Sequence, residues 1–199
     1  KPGLVVSPGE EYTGRLRVIG IGIPPAWGEG LTRRYLDEAE CAAWLSPRPA
    51  GIHKGTAGHV LAVAGSLGMT GAAALLCEAA ARAGAGLVTL CVPGSLNAMM
   101  EVKLTEVMTL PIPETPEHTP GMSALPVILK AAEGKAVLAV GPGISLNQQT
   151  RGLVRRLVTD APSPLVCDAD ALAAIAEDPS VLKRARHPAI LTPHPGEMA

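Results

Sequence analysis

A chain of 199 residues with 47% hydrophobic residues, 18% charged residues and a formal net charge of −1 has the makeup of a globular protein with one sizeable core, not of a disordered or fibrous one. No long Lys/Arg run is present, so the electrostatic footprint of a nucleic-acid or anionic-membrane binder is missing and the expected partners are small molecules or proteins. The cysteines Cys41, Cys77, Cys91 and Cys167 are scattered and form no Cys-x-x-Cys pair, which argues against a zinc knuckle or a disulfide framework and for reduced, buried thiols.

In chain order, the first fifty residues offer a strand-like Leu16–Ile23, a break at Pro24-Pro25, a helix around Tyr35–Leu45 and a Pro-rich link at Ser46–Pro49. A boundary near residue 50 follows, because so short a segment cannot bury a core alone. From there strand-like runs at His59–Ala64, Gly86–Val92, Glu106–Ile112, Ala136–Val140, Leu165–Cys167 and Ala189–Leu191 alternate with predicted helices. Those helices span Gly71–Ala83, Ser123–Glu133, Gln148–Thr159 and Asp170–Glu177. Uniformly apolar strands alternating with helices predict an α/β fold, a doubly wound and mostly parallel sheet with helices on both faces. Phe is absent, so Ala, Val, Leu and Ile must fill the core. The longest apolar stretch, Gly71 to Val92, contains Glu78 and Arg82 and several glycines, which argues against a membrane span. No secretory signal opens the chain and its first residue is Lys1, so excision from something longer and a cytoplasmic location are expected.

Strand-end loops hold the residues suited to chemistry. The segment Gly65-Ser66-Leu67-Gly68-Met69-Thr70-Gly71-Ala72 follows a strand and opens a helix, where free N–H groups and the helix dipole favour anions; a plain tight turn is the competing reading. It matches neither the dinucleotide fingerprint nor the phosphate-binding loop. Gly141-Pro142-Gly143-Ile144-Ser145 is likewise either a turn or part of a ligand edge at the carboxyl end of a strand. In Asp168-Ala169-Asp170 two carboxylates are suited to holding Mg²⁺ beside phosphates, while the competing reading makes Asp170 a helix N-cap and leaves the ligand edge to Asp168. The prolines around His194 in Thr192-Pro193-His194-Pro195-Gly196-Glu197 stiffen a turn that presents an imidazole. Lys54, in His53-Lys54-Gly55, either reaches a phosphate or is simply solvated. His59 starts a strand, and His118 and His187 lie in polar, Pro-adjacent stretches with no assigned task.

Taken in order from His53 to Ala199, these motifs together with Ala83-Gly84-Ala85-Gly86 resemble the NAD(P)H-hydrate dehydratase family of the ribokinase-like superfamily. The resemblance implies a hydro-lyase of metabolite repair. ADP or ATP, with Mg²⁺, phosphorylates the ring hydroxyl of the S-epimer of the hydrated cofactor, and phosphate leaves to restore NADH or NADPH. Ala72, Gly143 and His194 map onto positions that contact the hydrate, with Lys54, Gly65, Ser66, Gly71, Gly141, Asp168 and Glu197 as secondary substrate or phosphate candidates. The family's Lys-Gly nucleotide segment and the Gly-x-Gly-Asp that carries its catalytic Asp fall after Ala199. The catalytic residue is therefore unassigned, neither Asp168 nor Asp170 takes that role, and a sheet incomplete at the C-terminus and inactive alone is expected. Ser145 stands where the family pattern has a further glycine.

Residues 1–50 more weakly resemble the last strand and tail of an NAD(P)H-hydrate epimerase domain, through Lys1-Pro2-Gly3, Gly14-Arg15-Leu16-Arg17-Val18 and Gly20-Ile21-Gly22-Ile23-Pro24. Residues 51–199 would then be the N-terminal part of the dehydratase domain, and a homo-oligomer is expected. The alternatives are another ribokinase-like small-molecule kinase, acting on hydroxyethylthiazole or hydroxymethylpyrimidine, and a noncatalytic nucleotide-binding module.

Overall fold

The computed structural model describes residues 2–32, 35–45 and 51–198. Lys1, Ala199 and the Pro-rich link expected at Ser46–Pro49 lie outside the described residues. The chain divides into two compact units, Lys1–Ala50 and Gly51–Ala199.

In the first unit, helix α1 spans Glu10–Thr13 and helix α2 spans Glu38–Trp44, whose first turn is capped by Asp37 accepting the Glu40 amide at 2.8 Å. The strand expected at Leu16–Ile23 does not form, and the helix expected from Tyr35 starts only at Glu38. Val18 is 93% exposed and Ile21 74%. An extended apolar segment becomes a strand only by pairing with another, and the described residues of this unit supply no partner.

The second unit runs β1 (His59–Val63), α3 (Thr70–Ala83), β2 (Leu87–Pro93), α4 (Asn97–Lys103), β3 (Met108–Ile112), α5 (Leu125–Ala132), β4 (Val137–Val140), α6 (Gln148–Asp160), β5 (Leu165–Cys167), α7 (Asp170–Ala176), β6 (Ala189–Leu191) and α8 (Pro195–Met198). The strands form one 6-stranded sheet in the order β3-β2-β1-β4-β5-β6, and every pairing is parallel. Every predicted strand from residue 59 onward is present, some shortened by a residue or two. The unexpected helices are α4 and the short α8.

Side-chain alternation divides the core in two. On one face Ala62, Ala64, Val88, Leu90 and Val92 pack against Ala73 and Cys77 of α3 and Met100 of α4. On the other, Leu61, Val63, Leu138, Val140, Leu165 and Cys167 pack against α5, α6 and α7, notably Ile128, Leu153, Leu157 and Ile175. Helices therefore stand on both faces, but on the α3 side they cover β1 and β2 and leave the Val137, Val166 and Ile190 side of β4, β5 and β6 open; each fully buried Leu contributes about 1.5–3 kcal/mol. Alanines on α3 let that helix lie close to the sheet, and Gly84 ends it in the left-handed conformation at φ 107°. Cys77, Cys91 and Cys167 are free and buried as expected, but Cys41 is exposed on α2, a helix with no buried residue. Among the described residues no helix is long and apolar enough to cross a membrane.

Candidate functional site

Strand order reverses between β1 and β4: β2 and β3 extend the sheet to one side of β1, and β5 and β6 extend it to the other side of β4. At such a switch point the loops leaving the two strands diverge and open a crevice at their carboxyl ends, the usual ligand position in open α/β sheets. These loops are the glycine segment 65–71 and the Gly-Pro-Gly segment 141–145.

The two loops are bonded to each other. The Gly65 amide donates to the Pro142 carbonyl at 2.9 Å, and Ser66, 1% exposed, donates its hydroxyl to the Gly143 carbonyl at 2.8 Å. Gly143 takes φ +67°, and a Cβ there would lie 2.9 Å from the Cβ of Met69 and 3.0 Å from that of Ala72, so the contact between the loops requires glycine. Gly141 takes φ +133°, and a Cβ there would collide with the Asp168 carbonyl. Gly71 is the second residue of α3 and faces open space; Met69 at the N-cap makes no side-chain cap, which leaves the helix start bare.

Asp168 and Asp170 turn to different tasks. Asp168 accepts the Thr192 hydroxyl at 2.7 Å, tying the end of β5 to the end of β6. Asp170 is not the N-cap that was one sequence reading. Ala169 occupies that position at φ 51° without a capping bond, and Asp170, the first residue of α7, instead accepts the Ser145 amide at 2.8 Å across the sheet edge. Ser145 itself sits at φ 79°, which explains why glycine suits this position.

The His194 turn carries its own bonds. Gly196 donates its amide to His194 Nδ1 at 3.0 Å, the Glu197 carboxylate accepts the His194 amide at 2.9 Å, and His194 Nε2 lies 3.5 Å from Glu197 Oε1. With Nδ1 accepting, a ring proton is left to Nε2, on the Glu197 side of the ring. A groove of about 720 Å³ runs from this edge along the sheet beside α3; Ala72, Pro142, Gly143, Asp168 and Thr192 line its upper end and Leu75, Val137 and Val166 its apolar floor and wall. Gly65, Ser66, Gly71, Ala72, Gly141, Gly143, Asp168, His194 and Glu197 thus all fall at the carboxyl edge of the sheet. Lys54 does not join them. It precedes β1, and its carbonyl packs where a Cβ of Gly86 would stand, at the amino end of β2.

Sequence reasoning passed over a cluster on the neighbouring loops. His118 Nδ1 lies 2.8 Å from Glu114, and Ser95 donates both its hydroxyl, at 2.8 Å, and its amide, at 3.1 Å, to the same carboxylate. Burial pushes the Glu114 carboxyl up, but the bonds from His118 and Ser95 outweigh it and hold the group below its ordinary value. The His118 carbonyl accepts the Leu67 amide at 3.2 Å and so anchors the glycine segment. Glu117 accepts from the Asn147 side chain at 3.0 Å, linking this loop to the β4 loop. The signal available in the sequence was the Glu114…His118 spacing, but the contact depends on His118 adopting φ 55°.

Comparison with known proteins agrees with this fold. Residues 60–199 match the family model described as NAD(P)H-hydrate dehydratase. The bifunctional NAD(P)H-hydrate repair enzyme of Moorella thermoacetica is 47% identical over 201 residues, covering 100% of this chain, which spans 38% of that relative. The ADP/ATP-dependent NAD(P)H-hydrate dehydratase of Bacillus subtilis, co-crystallised with ATP/Mg²⁺, superposes with a TM-score of 0.61 at 29% identity over 84% of this chain and 55% of its own. A ribokinase-like superfamily protein of Enterococcus faecalis shares the fold, with a TM-score of 0.64 at 20% identity over 76% of this chain and 50% of its own. The chain belongs to the NAD(P)H-hydrate dehydratase family.

Proposed function

We propose that this chain supplies the hydrate-binding part of an enzyme that dehydrates the S-epimer of NADH or NADPH hydrate. The observation that carries the reading is the bonded pair of loops at the switch point, Ser66 to Gly143, opening the groove beside Ala72 in a chain matched to the family over residues 60–199. In this reading Ala72 and Gly143 present backbone and a small side chain to the hydrate, and His194 offers its imidazole from the turn after β6. Gly65, Ser66, Gly71, Gly141, Asp168 and Glu197 frame those groups. The start of α3, which has no side-chain cap, suits the substrate's phosphates. Lys54, at the opposite edge, is left out.

ADP or ATP with Mg²⁺ belongs to the proposal through the likeness to the Bacillus subtilis enzyme. When bound, the nucleotide supplies the phosphoryl group that turns the ring hydroxyl into a leaving group, and Mg²⁺ neutralises phosphate charge. The described residues form no cage for the metal: Asp168 is engaged by Thr192 and Asp170 by Ser145, and no cluster of three or more His, Cys, Asp or Glu stands among them. The first unit is proposed to be the tail of an epimerase-like domain, and assembly into a homo-oligomer completes the reading.

The test is turnover by the whole enzyme to which this chain is proposed to contribute its hydrate-binding part. With the S-epimer of NADH hydrate, ADP or ATP and Mg²⁺, the NADH chromophore is expected to return. Phosphorylation of a thiazole or pyrimidine alcohol with no return of NADH would establish the kinase alternative instead.

A further inference from the structure

The β5 loop grips the β4 loop at two places. Below, the Asp168 amide donates to the Val140 carbonyl at 3.1 Å, and its own carbonyl occupies the space that the missing side chain of Gly141 leaves free. Above, the Asp170 carboxylate accepts the Ser145 amide at 2.8 Å. The second grip is the unusual one. An Asp opening a helix ordinarily serves that helix's own amides, yet here Ala169 is held at φ 51° and ψ −123°, and the carboxylate is delivered to another loop. Ser145, in turn, holds φ 79°, a conformation that a residue with a Cβ leaves readily unless something outside it fixes its amide. Ile144 is buried at 1% exposure between Gly143 and Ser145, so a change of backbone direction at Ser145 is transmitted to Gly143 instead of being absorbed by a mobile link.

We propose that Asp170 is a positioning residue for the hydrate site: by accepting the Ser145 amide it fixes the left-handed turn that holds Gly143 against Met69 and Ala72, and so sets the mouth of the groove without touching the ligand. The identity of the ligand rests on the function proposed above; the claim about the loop does not. Asp170→Ala removes the acceptor, whereas Asp170→Asn keeps one acceptor oxygen. Loss of a bond to a charged acceptor corresponds to about tenfold or more in affinity where the loop's order is needed for binding.

The experiment combines amide exchange by NMR with equilibrium binding of the S-epimer of NADH hydrate, on the natural protein and both variants. In the natural protein the Ser145 amide is expected to exchange slowly. In Asp170→Ala it should exchange rapidly and the hydrate should bind about tenfold or more weakly, with both properties largely restored in Asp170→Asn. Fast exchange at Ser145 in the natural protein overturns the proposal without recourse to any variant, which covers the case of Asp170→Ala failing to fold. Rapid exchange in Asp170→Ala with unchanged hydrate affinity also overturns it. If the natural protein binds no hydrate, the function falls, and the exchange comparison alone then decides the claim about the loop.

Discussion

Ser66 and Gly143, 77 residues apart, meet through a 2.8 Å bond from the serine hydroxyl to the glycine carbonyl, buried at the junction of β1 and β4. Removing the hydroxyl in Ser66→Ala leaves that carbonyl without its donor where water does not reach. The expected loss is about 1–3 kcal/mol of folding stability. Urea unfolding of the variant checks it, and an unchanged midpoint and slope would show that the loops are held otherwise.

Ser145 tolerates φ 79° at a cost that glycine would not incur. A left-handed residue with a Cβ costs about 1–2 kcal/mol, and glycine's extra freedom in the unfolded chain returns about 0.5–1. Ser145→Gly is therefore expected to raise stability by about 0.5–1 kcal/mol. Thermal unfolding at matched pH measures this, and a lower Tm would contradict it.

Burial pushes the thiols of Cys77, Cys91 and Cys167 up to about 12, while exposed Cys41 stands apart. A native thiol reagent at neutral pH should modify Cys41 alone and reach the others only after denaturation. Because the folded values lie above the ordinary 9.0, the three thiols hold their protons more tightly folded than unfolded. Their contribution to stability is complete below pH 9 and is lost as pH rises from 9 toward 12. Stability that stays level across that alkaline window would contradict the burial.

Glu114 behaves in the opposite sense. Its carboxyl is held below the ordinary 4.5 in the folded state, so its contribution is present above pH 4.5 and is lost as pH falls through the folded value. The amides of Thr115, His118 and Thr119, and the Leu67 amide bonded to the His118 carbonyl, are expected to lose protection under acid before the strands do. Simultaneous loss of protection in β1 would show that the loop held by Glu114 and His118 is not a separate unit.

Much of the fold was legible because its central strands carry apolar residues toward both faces. Val60–Val63 and Val137–Val140 read as continuous apolar runs bounded by glycine, and such runs have few other structures open to them. Leu16–Ile23 shows the limit of that argument: its local pattern suits a strand, but pairing is a property of the partner. Helix α4 was missed because 7 residues, Asn97–Lys103, following a 3-10 turn give too short a period to recognise. At the site, the loops could be placed at the sheet edge from their order along the chain. The task of Asp170 could not, because whether an Asp caps its own helix or crosses to Ser145 depends on the φ of Ala169, which an alanine does not announce.

The measurement that tests the account most directly is equilibrium binding of the S-epimer of NADH hydrate to this chain and to Gly143→Ala. A Cβ at 143 meets Met69 and Ala72 at 2.9 and 3.0 Å and must hold φ +67°, so the mouth of the groove cannot keep its shape. Saturable binding by the natural sequence, strongly weakened in Gly143→Ala while circular dichroism shows the sheet intact, is the predicted result. Equal affinity in the two proteins, or no binding by either, would contradict a hydrate site at the β1–β4 crevice.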